Sequence, residues 1–215
     1  MKKLFRAVRN GDIEAVKSIL SKQPELLSCI AFPPPQKDAG QSLLQVALKT
    51  GNFPIADYLI DAGIDIHFME NEVCGNSWRA PVIHDAITAA VMSSRWNTYS
   101  EEFGLTVFSN QEKANSAFSV LEKLLRLGAD VNSKDSNGNT GLWCAFLQAS
   151  QIMPQVDRMT GEVSTERLFT AELQEDLRRI LKLLFHYGAD PDYVREDIGM
   201  TIMDLCGNKL FDILL

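Results

Sequence analysis

The chain is poor in the residues from which reactive sites are usually assembled: it has three histidines and four cysteines in 215 residues. No pair among them has the close spacing of a zinc module, the nearest approach being His67 to Cys74, so no metal or other cofactor is expected. Cys29, Cys74, Cys144 and Cys206 lie too far apart for a small disulfide scaffold, and they suit a reducing compartment in which a thiol behaves as a small apolar group. Gly-rich phosphate cradles, nucleophile elbows and H-E-x-x-H patterns are absent. No run of 18 or more apolar residues occurs, which rules out a membrane-spanning helix on length. Positive charge is in deficit, with 21 Lys and Arg against 28 Asp and Glu and a formal charge of −7. That field repels nucleic acid and anionic lipid and favours a basic partner. The opening MKKLFRAVRNGDIEAVKSIL is broken by Arg6, Arg9, Asp12 and Glu14, so it is a poor signal peptide and a cytoplasmic location is expected.

What the chain does have is apolar residues, 46% of the total, arranged in a repeat. YLIDAGIDIH, KLLRLGADVN and LLFHYGADPD each end a helical pattern in Gly-x-Asp. Gly63, Gly128 and Gly188 stand just past the last apolar position, where a left-handed backbone closes a helix. Upstream, Ile55, Leu59 and Ile60, then Leu121, Leu124 and Leu125, then Leu177, Ile180, Leu181 and Leu184 recur at helical spacing. A shorter unit precedes each of these helices: LFRAVRNG, LLQVALKTG, VIHDAITA, GLWCAFLQ and IMDLC. In it Ala7, Ala47, Ala86, Ala145 and Cys206 share one position, where a small side chain lets helices approach closely. Ser42, Thr140 and Thr201 stand where a hydroxyl caps the first turn.

These segments resemble the ankyrin repeat, a β-turn and two antiparallel helices with a T-P-L-H-x-A signature, in a degenerate, bacterial-type form. DSNGNTGLWCA keeps the turn, the Thr and the Leu with Trp143 in the His position, and IHDA keeps His84. The resemblance implies an all-α, ankyrin-like solenoid of stacked helix-turn-helix repeats with short β-turn connections. It divides the chain into five units, 1–37, 38–70, 71–134, 135–197 and a truncated 198–215. Ala47 and Gly63 are 16 positions apart, whereas Ala86 to Gly128 spans 42 and Ala145 to Gly188 spans 43. Two neighbouring repeats thus carry similar insertions, near 92–114 and 150–172, which should emerge side by side. Part of each continues a helical pattern, so the second helices of repeats 3 and 4 should be longer than those of repeats 1 and 2. The rest reads as loop. Pro33, Pro34 and Pro35 make an extended connection between the first two repeats.

Other constellations favour bland readings. Asp130 to Asp135 alternates oxygen donors like a calcium loop, but Lys134 falls at a ligand position, Asp135 replaces the turn glycine and no Glu closes it. His84 with Asp85, and Glu101 with Glu102, are adjacent on the chain and point apart on a helix. His84 holds the signature position and reads as a structural hydrogen-bonding group. Glu101, Glu102, Glu172, Glu175 and Asp176 read as a solvated face. Trp78 lies in a turn and can either project or be buried; Trp96, Tyr99 and Phe103 read as packing the first insertion onto the stack; Trp143 reads as core or groove wall.

A non-catalytic scaffold that binds a protein, in the manner of an inhibitor, adaptor or immunity-type protein masking a basic partner, fits these features. The family's contact positions carried onto this chain are Asp38, Gln41, Trp78, Arg79, Ser136, Asn137 and Asn139 in the turns. On the inner helices they are Arg9, Asn10, Lys49, Thr50, Thr88 and Gln148. A monomer is expected, binding neither nucleic acid nor membrane. The alternative is an enzyme or host-directed effector whose site is built from the two insertions.

Overall fold

The computed structural model describes residues 1–72, 78–155 and 162–206, without the side chain of Cys206. Expectations that rest on Cys74, on part of the second insertion and on the last unit beyond Cys206 lie outside the described residues.

Apolar residues at helical spacing, each set closed by a glycine, give helices in pairs. The pairs are α1 (Lys2–Asn10) with α2 (Ile13–Lys22), α3 (Leu43–Lys49) with α4 (Phe53–Asp61), α5 (Val82–Met92) with α6 (Gln111–Arg126), and α7 (Gly141–Ile152) with α8 (Ala171–His186). A short α9 (Ile202–Cys206) follows. First helices touch in the order α1, α3, α5, α7, α9, and second helices in the order α2, α4, α6, α8. The core fills the space between these two rows, running from Leu4 and Val8 through Leu43, Ile87 and Leu142 to Leu184 and Ile202. Ala7, Ala47, Ala86 and Ala145 are all buried, as close helix approach requires.

The glycines that end the second helices have φ values of 84° at Gly63, 96° at Gly128 and 82° at Gly188, the left-handed closure expected of them. The second helices differ in length as the inserted periodicity predicts: α6 and α8 each run 16 residues, against 10 for α2 and 9 for α4. Capping is mixed. Ser42 forms a reciprocal capping box with Gln45, and the Thr201 hydroxyl accepts from the Asp204 amide while the Asp204 carboxylate accepts from Thr201. Thr140 makes no cap bond; its hydroxyl oxygen is buried without a partner among the described residues.

The molecule is mostly helical but not wholly so. The segment between α5 and α6, expected to be loop, contains an antiparallel hairpin of β1 (Asn97–Ser100) and β2 (Gly104–Val107). The second insertion lies against it: the Tyr99 amide donates to the Glu166 carbonyl at 2.7 Å, and the Asn97 side chain both donates to and accepts from the Leu168 backbone. Asp176 corrects another expectation, because it is 1% exposed rather than solvated. It receives the Arg95 backbone amide and two guanidinium bonds, at 2.9, 2.9 and 3.0 Å, with Arg179 3.3 Å away. These contacts tie the end of α5 and its insertion to α8.

Candidate functional site

Each first helix after α1 is entered from a turn, and the turns lie against one another. The turn before α3 meets the next one through the Gly40 carbonyl, which accepts from the Asn71 amide, and through Gln41 Nε2, which donates to Glu70. That second turn meets the third at three points. Trp78 Nε1 donates to Asp135 at 2.9 Å, the Arg79 amide donates to the Ser136 hydroxyl, and the Ser136 amide donates to the Arg79 carbonyl. The third meets the fourth through the Tyr193 hydroxyl, which donates to the Gly138 carbonyl, and Arg195 Nη1, which donates to Asn139.

Asp135 organises the middle of this row. Its carboxylate accepts from the amides of Asn137 and Asn139, the Asn139 side chain and the Trp78 indole. Burial alone would raise its pKa, but the bonds from Asn139 and Trp78 and the two amides outweigh it and hold the group below its ordinary value. The adjoining wall is aromatic and of mixed charge, with Arg195 paired to Asp197 beside Glu196. Lys134 Nζ sits 4.4 Å from the centre of the Tyr193 ring, and the Arg195 guanidinium lies 5.1 Å from that of Trp143, which forms the buried floor. A groove of about 740 Å³ opens there, lined by Ser136, Asn137, Leu147, Tyr193, Arg195 and their neighbours.

Of the contact residues carried over from the resemblance, Asn10, Lys49, Thr50, Trp78, Ser136 and Asn137 are exposed, and Arg9, Arg79, Thr88 and Gln148 are half-buried. Trp78, open to either reading in the sequence, is 42% exposed with its ring nitrogen turned inward to Asp135. Asp38, Gln41 and Asn139 are instead interior, at 4%, 0% and 8% exposure, and are bonded to Arg9, Glu70 and Asp135 respectively. They support the turns rather than present themselves to a partner. Tyr193 and Arg195 were not picked out. The signal is an aromatic and an arginine among the acids of DYVRED, in a turn that leads into the unit where the repeat pattern is weakest.

The reactive-looking residues are occupied. His84 Nε2 lies 2.9 Å from the Ser133 carbonyl of the following turn, and burial lowers its pKa. Asp85 faces elsewhere, accepting from Gln45 Nε2 at 2.8 Å. Burial pushes the Cys144 thiol up to about 12, which suppresses the thiolate. At the opposite end of α5 a cleft of about 470 Å³ lies between the insertions, bordered by Met92, Trp96, Gln151, Gln155, Glu166 and Arg167. Among the described residues no cluster of three His, Cys, Asp or Glu side chains is placed to hold a metal, and no helix is long and apolar enough to cross a membrane.

No protein-family model matches the chain. It is similar to a fowlpox virus (strain NVSL) protein described as an ankyrin repeat protein, with 26% identity over 181 residues. The match takes in 78% of this chain but 44% of the viral protein, so the chain spans less than half of that relative's length.

Proposed function

We propose that the chain is an ankyrin-type solenoid acting as a non-catalytic scaffold that binds a protein partner of basic character through its row of turns. Its units are 1–37, 38–70, 71–134, 135–197 and 198–215. The observation that carries this reading is the direct bonding of successive turns to one another. A partner then meets one continuous rigid surface, with Trp78, Arg79, Ser136, Asn137 and Tyr193 drawn from neighbouring units. Rigid presentation lowers the entropy cost of association, and an exposed tryptophan flanked by hydrogen-bonding groups is the usual make-up of an interface anchor. The net charge of −7 supports the basic character of the partner. The similarity to an ankyrin repeat protein supports the binding role.

The test is to capture the partner from the native cell, identify it by mass spectrometry and titrate it against variants. Trp78→Ala should weaken binding by about 2 kcal/mol. It also loses the bond to Asp135, at a stability cost of about 1 kcal/mol. Trp78→Phe loses the same bond but keeps most of the ring, so its stability should fall like that of the alanine variant while its affinity stays near wild type. A partner whose affinity is unmoved by Trp78→Ala would overturn the assignment of the turn surface.

A further inference from the structure

The β1–β2 hairpin has two edges, and only one is covered by the protein's own chain among the described residues. The Phe108 amide donates to the Trp96 carbonyl at 3.0 Å, which sets the phase of the ladder. With Asn97 paired to Val107 and Tyr99 to Leu105, the inward-bonded positions are Thr98, Ser100, Gly104 and Thr106. The backbone groups of Asn97, Tyr99, Leu105 and Val107 therefore point outward. On the β1 side this is what the structure contains: the outward Tyr99 amide is taken up by the Glu166 carbonyl. On the β2 side the peptide groups of Leu105 and Val107 face out from a sheet of two strands.

That edge is short, at four residues, but it lacks two of the usual protections. Gly104, Leu105, Thr106 and Val107 include no charge and no proline, the devices by which natural edges resist pairing. Tyr99, Leu105 and Val107 project from the same face of the hairpin, with Leu105 48% and Val107 50% exposed, and Phe103 at the bend is 77% exposed. The hairpin is nonetheless held firmly from behind, by the Trp96 ring stacked on Phe108 at 4.3 Å and by the Asn97 bonds to Leu168. A fixed strand with outward peptide groups and an apolar face is the receiving half of strand addition.

We propose that the outer edge of β2 is a second binding surface, distinct from the turns, and that it accepts an extended segment of a partner protein in which apolar residues alternate with lysine or arginine. The charge requirement comes from Glu101 and Glu102, both exposed at the bend that leads into β2, and from the −7 charge of the whole chain. A second copy of this chain would bring the same acidic field to the edge, so a foreign basic strand is the favoured occupant.

The probe is a capped, fluorescein-labelled peptide of alternating valine and lysine, about six residues long, the length of an ordinary strand. Anisotropy measures its binding to the whole protein, and amide NMR shifts locate it. Shifts confined to residues 103–108, with at least about tenfold weaker binding when alternate peptide amides are N-methylated or lysine is replaced by glutamate, would support the proposal. Val107→Pro removes an outward amide while leaving the inward bonds of Thr106 and Gly104, and it should weaken the unmodified peptide equally. Should that variant misfold, the N-methylated peptide on the wild-type protein decides the question alone. Equal binding of the N-methylated peptide, or shifts centred on residues 135–139 and 193–197, would overturn it. So would a concentration-dependent dimer, seen by sedimentation, that Val107→Pro dissolves. Trp78→Ala should leave peptide binding unchanged, so failure here and failure of the turn surface are separable.

Discussion

Gly141 shows how closely neighbouring helix pairs fit. A Cβ built on it would stand 2.5 Å from the Val131 carbonyl oxygen and 2.8 Å from Ile87 Cδ1, and the first of these neighbours is backbone and cannot rotate away. Gly141→Ala should therefore destabilise the protein by about 1–3 kcal/mol, read as a lower midpoint in urea with an unchanged slope. Asp85 makes a prediction of unusual sign. Burial, opposed by the Lys49 charge and the Gln45 bond, raises its pKa from 3.8 to about 7. Below about pH 4 the folded and unfolded chains both hold the proton and nothing is lost. Between there and about pH 7 the folded chain keeps a proton that the unfolded chain has released, so stability falls as pH rises, and the full penalty is present above pH 7. Asp85→Asn keeps an oxygen for Gln45 to donate to and removes the charge. Its stability relative to wild type should grow from pH 5 to pH 8 in paired urea titrations; a difference that does not change with pH would show that Asp85 is not held protonated. Neither residue announces this behaviour in the sequence, where Asp85 is simply the polar neighbour of His84.

The paired helices were legible because their signals are local: a small residue where helices approach, an apolar stripe and a glycine at the left-handed closure. The longer α6 and α8 followed from the same periodicity. The hairpin was not legible, because NTYS and GLTV are short and separated by Glu101, Glu102 and Phe103, and the contacts that hold β1 come from the distant second insertion. Asp176 was misread for a related reason. On its own helix it sits among Glu172, Glu175 and two arginines, a pattern typical of a wet surface, and what buries it is Arg95 from 81 positions away. Asp176→Ala would leave Arg95 and Arg179 without their shared carboxylate. Arg95 retains some access to water, so the expected cost is about 3 kcal/mol, toward the lower end for a broken buried pair. A thermal scan should show a lower melting temperature, and Arg95→Ala combined with Asp176→Ala should cost less than the two single losses added together. Strict additivity would mean that the pair does not act as a unit.

Across the molecule the joints between helix pairs are unequal. The α5–α6 and α7–α8 pairs are joined at the turns by Trp78 and Arg79, at the helices by α5 against α7 and α8, and at the inserted segments by Arg95, Asn97 and Tyr99. The α1–α2 and α3–α4 pairs share the Arg9–Asp38 ion pair and the bonds from Asn52 to the Val8 and Arg9 carbonyls, with second helices of 10 and 9 residues behind them against the 16 of α6 and α8. Hydrogen exchange should accordingly find the amides of α5, α6, α7 and α8 slowest and opening together, with those of α2 exchanging sooner. Slowest exchange in α2 would contradict this ordering. The Arg95–Asp176 contact then acquires a mechanical meaning. If a bound partner pulled on the chain, the first two helix pairs would pay out as slack, while Trp78, Asp135 and Ser136 stayed in register, held by the turn bonds, the α5 contacts and the Arg95–Asp176 pair acting in parallel.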